Sequence, residues 1–189
     1  MLRAQYAAGV NILLNTFLVL LLATTPSAAD RAAARARSLE ALNRQMWMPF
    51  IEGVRTDRPE LYVGIHSRQF YWVGSGSHGR IMDYAEYDDD SRMVMKRRKE
   101  AGERGEFDIR FLERNVHGDF ASEKCVTKFV LHTPGKPPRT SYSISHYFSR
   151  KEDGVWKMYL QHRSPEPATE ATFLAAAPID DYTRFLAAP

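Results

Sequence analysis

One cysteine, Cys125, stands among the 189 residues, so no disulfide can form within the chain. A lone thiol in a strand-like pattern reads as a buried, inert side chain, because a nucleophile would need an activating base beside it. An excess of charge of either sign is also missing. Lys and Arg number 26 against 23 Asp and Glu, a formal net charge of +3. That near balance leaves no basic footprint for nucleic acid. The glycine-serine run Gly74-Ser75-Gly76-Ser77-His78-Gly79 lacks the lysine of a phosphate loop and the dinucleotide spacing, so it reads as a flexible connection. Asp88-Asp89-Asp90 lacks oxygen-ligand loop spacing around it and reads as a solvated face. No cofactor, metal or nucleic-acid partner is expected.

A long, clean apolar span is absent as well. Residues 12–23 are mostly apolar, but they are short for a membrane-crossing helix and Asn15 interrupts them. Arg3 before this run and Pro26-Ser27-Ala28-Ala29 after it make residues 1–29 an export signal, cleaved after Ala29. The mature protein is then periplasmic or secreted, with an uncleaved membrane anchor as the alternative.

What is present is 44% hydrophobic and 12% aromatic content, enough for one domain with a real core. We place that domain at 38–164, after a linker at 30–37 and before an Ala/Pro-rich, partly disordered tail at 165–189 with one short helix expected at 179–186. Leu39, Leu42, Met46, Phe50 and Val54 recur at helical spacing behind Ser38 as N-cap, and Pro49 is expected to kink that helix. Asp57-Arg58-Pro59 opens a second, shorter helix burying Leu61, Tyr62 and Ile65. A strand at 69–73 and a third helix at 80–100 follow. Strands at 106–117 and 120–132 then form a hairpin about Gly118-Asp119. Setting His117 opposite Phe120 pairs Arg114 with Glu123 and Glu113 with Lys124, two opposite-charge matches.

The last hairpin, 142–164, turns at Lys151-Glu152-Asp153-Gly154-Val155. A three-residue loop with Gly154 in the left-handed region sets Phe148 opposite Met158, His146 opposite Leu160 and Ile144 opposite His162. Its other face carries Ser143, Ser145, Tyr147, Lys157, Tyr159, Gln161 and Arg163. The order of elements predicts an α+β fold, a curved antiparallel sheet wrapped around about three helices.

The run Gly154-Val155-Trp156-Lys157-Met158-Tyr159-Leu160-Gln161-His162-Arg163-Ser164 resembles the end of the nuclear-transport-factor-2-like superfamily, in its SnoaL-like branch and in the association domain of calcium/calmodulin-dependent protein kinases. Pro138-Arg139-Thr140 and Gly118-Asp119 stand at matching distances before it. The resemblance implies a cone-shaped α+β barrel, commonly a dimer or larger ring, with a deep cavity between sheet and helices. It implies a pocket role for Arg163 and places Tyr147 where that family has a second pocket arginine. Members include isomerases, dehydratases, epoxide hydrolases and proteins that only bind ligands.

Candidate ligand-binding residues are accordingly Arg163, Tyr147, Tyr159, His146, Trp72, Tyr62 and Tyr84, and candidate catalytic residues are His162, Asp83 and Asp108. An arginine fork suits a carboxylate, histidine moves protons near neutral pH, and tyrosine can hold an oxyanion. Each also has a structural reading: Arg163 in a rim ion pair, the histidines hydrogen-bonded in the wall, the aromatic residues in the core. Two histidines without a third ligand make no zinc site. Which face of the last hairpin lines the cavity stays open. If the polar face does, the apolar one is free for a homodimer through the sheet. The functions in contention are an exported binder of a small organic molecule, an anion in one version; a small isomerase, dehydratase or epoxide hydrolase; and an oligomerisation module.

Overall fold

The computed structural model describes residues 27–75 and 79–186, and the chain divides into units 1–31 and 32–189. The export signal falls mainly on residues outside those described, as does the middle of the glycine-serine connection. Among the described residues no helix is long and apolar enough to cross a membrane. In the first unit, the Asp30 carboxylate accepts from the Ser27 hydroxyl at 2.7 Å at the start of helix α1 (Ala28–Leu42).

Ser38 lies inside α1, so the helix begins well before the N-cap expected from sequence. Its buried Leu39 and Leu42 lead into a π-helical turn, Asn43–Trp47, where the Met48 N–H bonds to the Asn43 carbonyl. Pro49 is the cause: it has no N–H to give and its ring crowds the preceding turn, so the helix widens before resuming as α2 (Met48–Arg55). The π turn swings Met46 and Trp47 into the core. Gly53 then meets α3 (Pro59–Gly64) backbone to backbone; a Cβ there would fall 2.6 Å from the Tyr62 nitrogen.

Strand β1 (His66–Gly74) follows. The segment read as the start of a third helix is instead a short edge strand, β2 (Ile81–Asp83), and helix α4 (Tyr84–Glu100) begins one residue later. Asp83 ends the strand as N-cap, in a capping box with Glu86. Strands β3 (Arg104–His117), β4 (Phe120–His132), β5 (Arg139–Glu152) and β6 (Val155–Arg163) form the antiparallel wall. His117 does face Phe120, and Arg114–Glu123 and Glu113–Lys124 pair as counted, with one bulge at Leu112.

The sheet is mixed, not purely antiparallel, because β1 runs parallel to β6; the order begins β2-β1-β6-β5-β4-β3. It is α+β, open and curled, with α2, α3 and α4 on its inner side. Residues read as loose tail form helix α5 (Glu170–Ala175) and a two-residue strand β7 (Ala177–Pro178) on β3, while the short helix expected at 179–186 is a 3-10 turn at Tyr182–Phe185. Alanine and proline composition hid four apolar anchors: Phe173 packs beside Val126 and Ile144, while Ile179, Tyr182 and Phe185 lean on the main core.

The last hairpin differs from its expected register. Asp153 and Gly154 both have positive φ, 50° and 79°, so the turn has two residues and Glu152 faces Val155. A bulge at Tyr159 then shifts the pairing again, setting Tyr147 opposite Gln161 and His146 opposite His162. A bulge reverses the side on which later residues emerge. Trp156 and Met158 therefore enter the core, and beyond the bulge Gln161 and Arg163 point to the same inner side.

Candidate functional site

A cavity of about 490 Å³ lies between the inner face of the sheet and helices α2 to α4. Alternation along β5 brings Ser141, Ser143, Ser145 and Tyr147 to it, and β6 adds Gln161 and Arg163. Helical spacing brings Tyr87, Ser91, Met95 and Arg98 of α4 to the opposite wall. Trp72, Phe107 and Phe129 supply flat apolar surface. Of the hairpin's expected polar face, Ser143, Ser145, Tyr147, Gln161 and Arg163 line the hollow, while Lys157 and Tyr159, before and at the bulge, do not.

Three tyrosines bring phenols to the cavity, beside the hydroxyls of Ser91, Thr127, Ser141, Ser143 and Ser145. Tyr62 and Tyr87 hydrogen-bond each other through their phenols, their rings stacked at 5.8 Å. Burial pushes both phenols above their ordinary range, and Tyr147 likewise. All three therefore remain protonated and able to donate at neutral pH. Behind Tyr62 and Tyr87 sits His66, its Nδ1 3.1 Å from the Val63 carbonyl and its ring 4.2 Å from that of Phe70. Burial holds its pKa down to about 3, so it is a neutral ring in the wall.

Cations around the cavity differ in what they already hold. Arg98, 9% exposed, pairs with Asp57 and lies over the Phe129 ring at 5.4 Å. Arg80 pairs with Asp90 at 3.3 Å. Arg163 has no carboxylate partner among the described residues. It is the cation left over for a ligand.

Of the residues singled out from sequence, Arg163, Tyr147, Trp72 and Tyr62 come together on this cavity. The others do not line it. His146 and His162 face each other across β5 and β6 on the outer side, ring centres 6.0 Å apart, with His162 Nε2 3.0 Å from the Ser75 hydroxyl. Burial, then Lys124 and His162, push the His146 pKa down. Tyr159, at the bulge, sits beside Phe148 under Arg150, and Tyr84 lies under Arg68 at 4.5 Å. Asp83 is occupied as a helix cap. Asp108 accepts from the Ile109 N–H at 2.8 Å in a separate depression with Arg55 and Lys128. Asp90, read with its neighbours as a solvated run, reaches the cavity instead, while Asp88 is tied to Arg92 at 2.6 Å. Tyr87, Asp90, Arg98 and Gln161 were among those missed; the spacing of Tyr87, Ser91, Met95 and Arg98 was the signal on α4, and the shared face with Tyr147 and Arg163 was the signal for Gln161. Among the described residues no group of three or more His, Cys, Asp or Glu could hold a metal ion.

No family model matches the chain, and no curated protein does. Solved structures do resemble it. A provisionally named scytalone dehydratase from Novosphingobium aromaticivorans aligns at 15% identity and a TM-score of 0.59, over 77% of this chain and 95% of that one. A nuclear-transport-factor-2-like protein of unknown function from Pseudomonas putida aligns at 13% and 0.52, over 72% and 92%. A provisionally named calcium/calmodulin-dependent protein kinase II association domain from Xanthomonas campestris aligns at 15% and 0.50, over 71% and 89%. At identities this low the likeness speaks for architecture, and the architecture is clear: the chain has the nuclear-transport-factor-2-like fold.

Proposed function

We propose that this protein is an exported binder of a small organic anion, held in the cavity with its charged group at Arg163. The observation that carries the reading is a hollow of about 490 Å³ walled by aromatic rings and holding a single arginine free of an ionic partner among the described residues. Such a pocket suits a flat apolar body with one anionic end. Titrating benzoate and other carboxylates into the protein, followed by calorimetry and tryptophan fluorescence, tests it. Saturable binding that weakens about tenfold or more in Arg163→Ala is expected. Binding that ignores the substitution, or no binding by any carboxylate, overturns it.

A second reading rests on the Tyr62–Tyr87 phenol pair, a ready donor for a developing oxyanion in an isomerase- or dehydratase-type reaction. His162, Asp83 and Asp108 lie off the cavity, so the base in this version is Asp90. Its existing bond to Arg80 ranks this reading second. It predicts solvent deuterium entering the carbon next to the carbonyl of a bound aryl ketone, an exchange lost in Asp90→Asn. We also propose a homodimer through the outer sheet face, where Tyr71, Leu160 and Phe148 are cross-strand neighbours. The solved association domain, by its name, assembles. Sedimentation equilibrium showing a monomer that is unchanged by Leu160→Arg removes the dimer.

A further inference from the structure

We propose that the anion this cavity takes is an aromatic hydroxycarboxylate, its hydroxyl bound between Gln161 and Tyr147 and its carboxylate at Arg163. The proposal rests on the binding reading above and narrows it to one ligand class.

Gln161 carries the argument. It lines the cavity yet is only 8% exposed. Its Nε2 donates to the Tyr147 phenol oxygen at 3.3 Å, while its Oε1 is buried with no hydrogen-bond partner among the described residues. Buried amide oxygens are normally paired, and an unpaired one on a cavity-lining side chain is an acceptor available to a ligand's donor. Tyr147 complements it. Its oxygen accepts from Gln161 and its hydroxyl also lies within hydrogen-bond reach of the Ser145 side chain, while burial keeps the phenol protonated and able to donate. A donor and an acceptor on adjacent groups match a hydroxyl, which accepts from the phenol and donates to the amide. An ether or a carbonyl would leave Gln161 Oε1 unpaired. An ammonium could not accept from Tyr147.

The distance to the charged end follows from the strand. Arg163 is two residues beyond Gln161 on the same face, about 6.6 Å along β6. That separation is close to the span between a carboxylate and a hydroxyl set across one six-membered ring. The surface between them is flat. In the parallel ladder Trp72 stands beside Gln161 and Gly74 beside Arg163. The Trp72 indole lies over Gly74, where an added Cβ would come within 2.5 Å of a ring carbon. The indole therefore extends along the two rungs that hold the polar groups. A ring carrying a hydroxyl at one end and a carboxylate at the other can stack there with both ends satisfied.

The probes are 4-hydroxybenzoate, benzoate and 4-methoxybenzoate, titrated calorimetrically into the full chain and into Gln161→Leu, Tyr147→Phe and Arg163→Ala. We expect 4-hydroxybenzoate to bind about tenfold or more tighter than either of the others. Gln161→Leu removes that preference, and Tyr147→Phe reduces it. Arg163→Ala weakens all three. If 4-hydroxybenzoate and benzoate bind equally, the hydroxyl subsite is refuted and the anion pocket stands. If none binds, the anion pocket falls and this inference with it. The ligand series on the unaltered chain decides the matter even if a variant fails to fold.

Discussion

At the scale of single residues, the most consequential group is one the cavity does not use. Arg114 and Glu123 form a 2.6 Å ion pair with both side chains fully buried, the Trp47 indole donates to the same carboxylate at 3.0 Å, and the guanidinium lies over Phe111. Removing one partner strands a charge in the core, which costs about 3–5 kcal/mol. Glu123→Ala should therefore show a large fall in urea-unfolding free energy. Replacing both together, Arg114→Met with Glu123→Leu, should recover most of it; equal loss in the double variant would show that packing, not charge, dominates. The pairing itself was legible from the hairpin count. Its burial was not, because opposite charges across a hairpin read as surface, and the residue that buries them, Trp47, arrives from 76 positions away. Gly74 is the second sensitive position. Gly74→Ala should displace the Trp72 indole, giving a shifted tryptophan emission and weaker carboxylate binding with little change in overall secondary structure. Unchanged emission and affinity would show that the indole is not held against Gly74.

At the scale of elements, one extra residue decides what the last strand offers to the cavity. Before Tyr159, β6 sends Trp156 and Met158 into the core; after it, Gln161 and Arg163 take the inner side. Alternation within β5 was readable because that strand is regular, and its serines and Tyr147 fall on one face as expected. In β6 the pattern broke where bulges usually hide: no residue type marks Tyr159 as the unpaired one, and Asp153 in a left-handed conformation shortens the turn to two residues. Two offsets then carried the paper register away from the real one. Deleting Tyr159 should make the existing register continuous, with Met158 opposite Ser149, Leu160 opposite Phe148 and Gln161 opposite Tyr147, so Gln161 and Arg163 stay on the inner face. Benzoate binding measured by calorimetry should then persist. Loss of binding with the sheet signal in circular dichroism intact would show that the extra residue itself aims Arg163. Helix α4 makes a smaller, cleaner test. Asp83→Ala removes the side-chain half of its capping box and should cost about 1 kcal/mol in chemical denaturation, with no effect on benzoate affinity. A large loss of affinity would give Asp83 a role beyond the cap.

At the scale of the whole domain, what was legible was local: the helices, the two hairpins and the α+β class follow from periodicity and turn chemistry. The parallel contact of β1 with β6 was not, since it joins segments nearly the whole domain apart and neither strand announces its neighbour. That contact closes the wall around His66, whose ring is packed by Phe70 of its own strand, by Tyr62 of α3 and by Tyr87 of α4. Lys157 of β6 adds a positive charge nearby. Burial above all, and then that charge, outweigh the Val63 carbonyl and hold the pKa to about 3, against an ordinary value of 6.5. The folded chain thus binds this proton far less readily than the unfolded chain. The resulting stability is complete above pH 6.5 and is lost progressively as pH falls toward 3, at about 1.4 kcal/mol per pH unit. Glu152, held by Ser67, sits below the ordinary carboxylate range and so does not titrate between pH 7 and 5. His146 acts in the same sense, but it lies in the outer face where solvent screens it. Urea unfolding at pH 7 and pH 5 should therefore show wild type losing about 2 kcal/mol more than His66→Gln, which cannot titrate. Parallel losses in the two proteins would mean that His66 takes its proton without opening the wall, and that acid reaches this fold through another group.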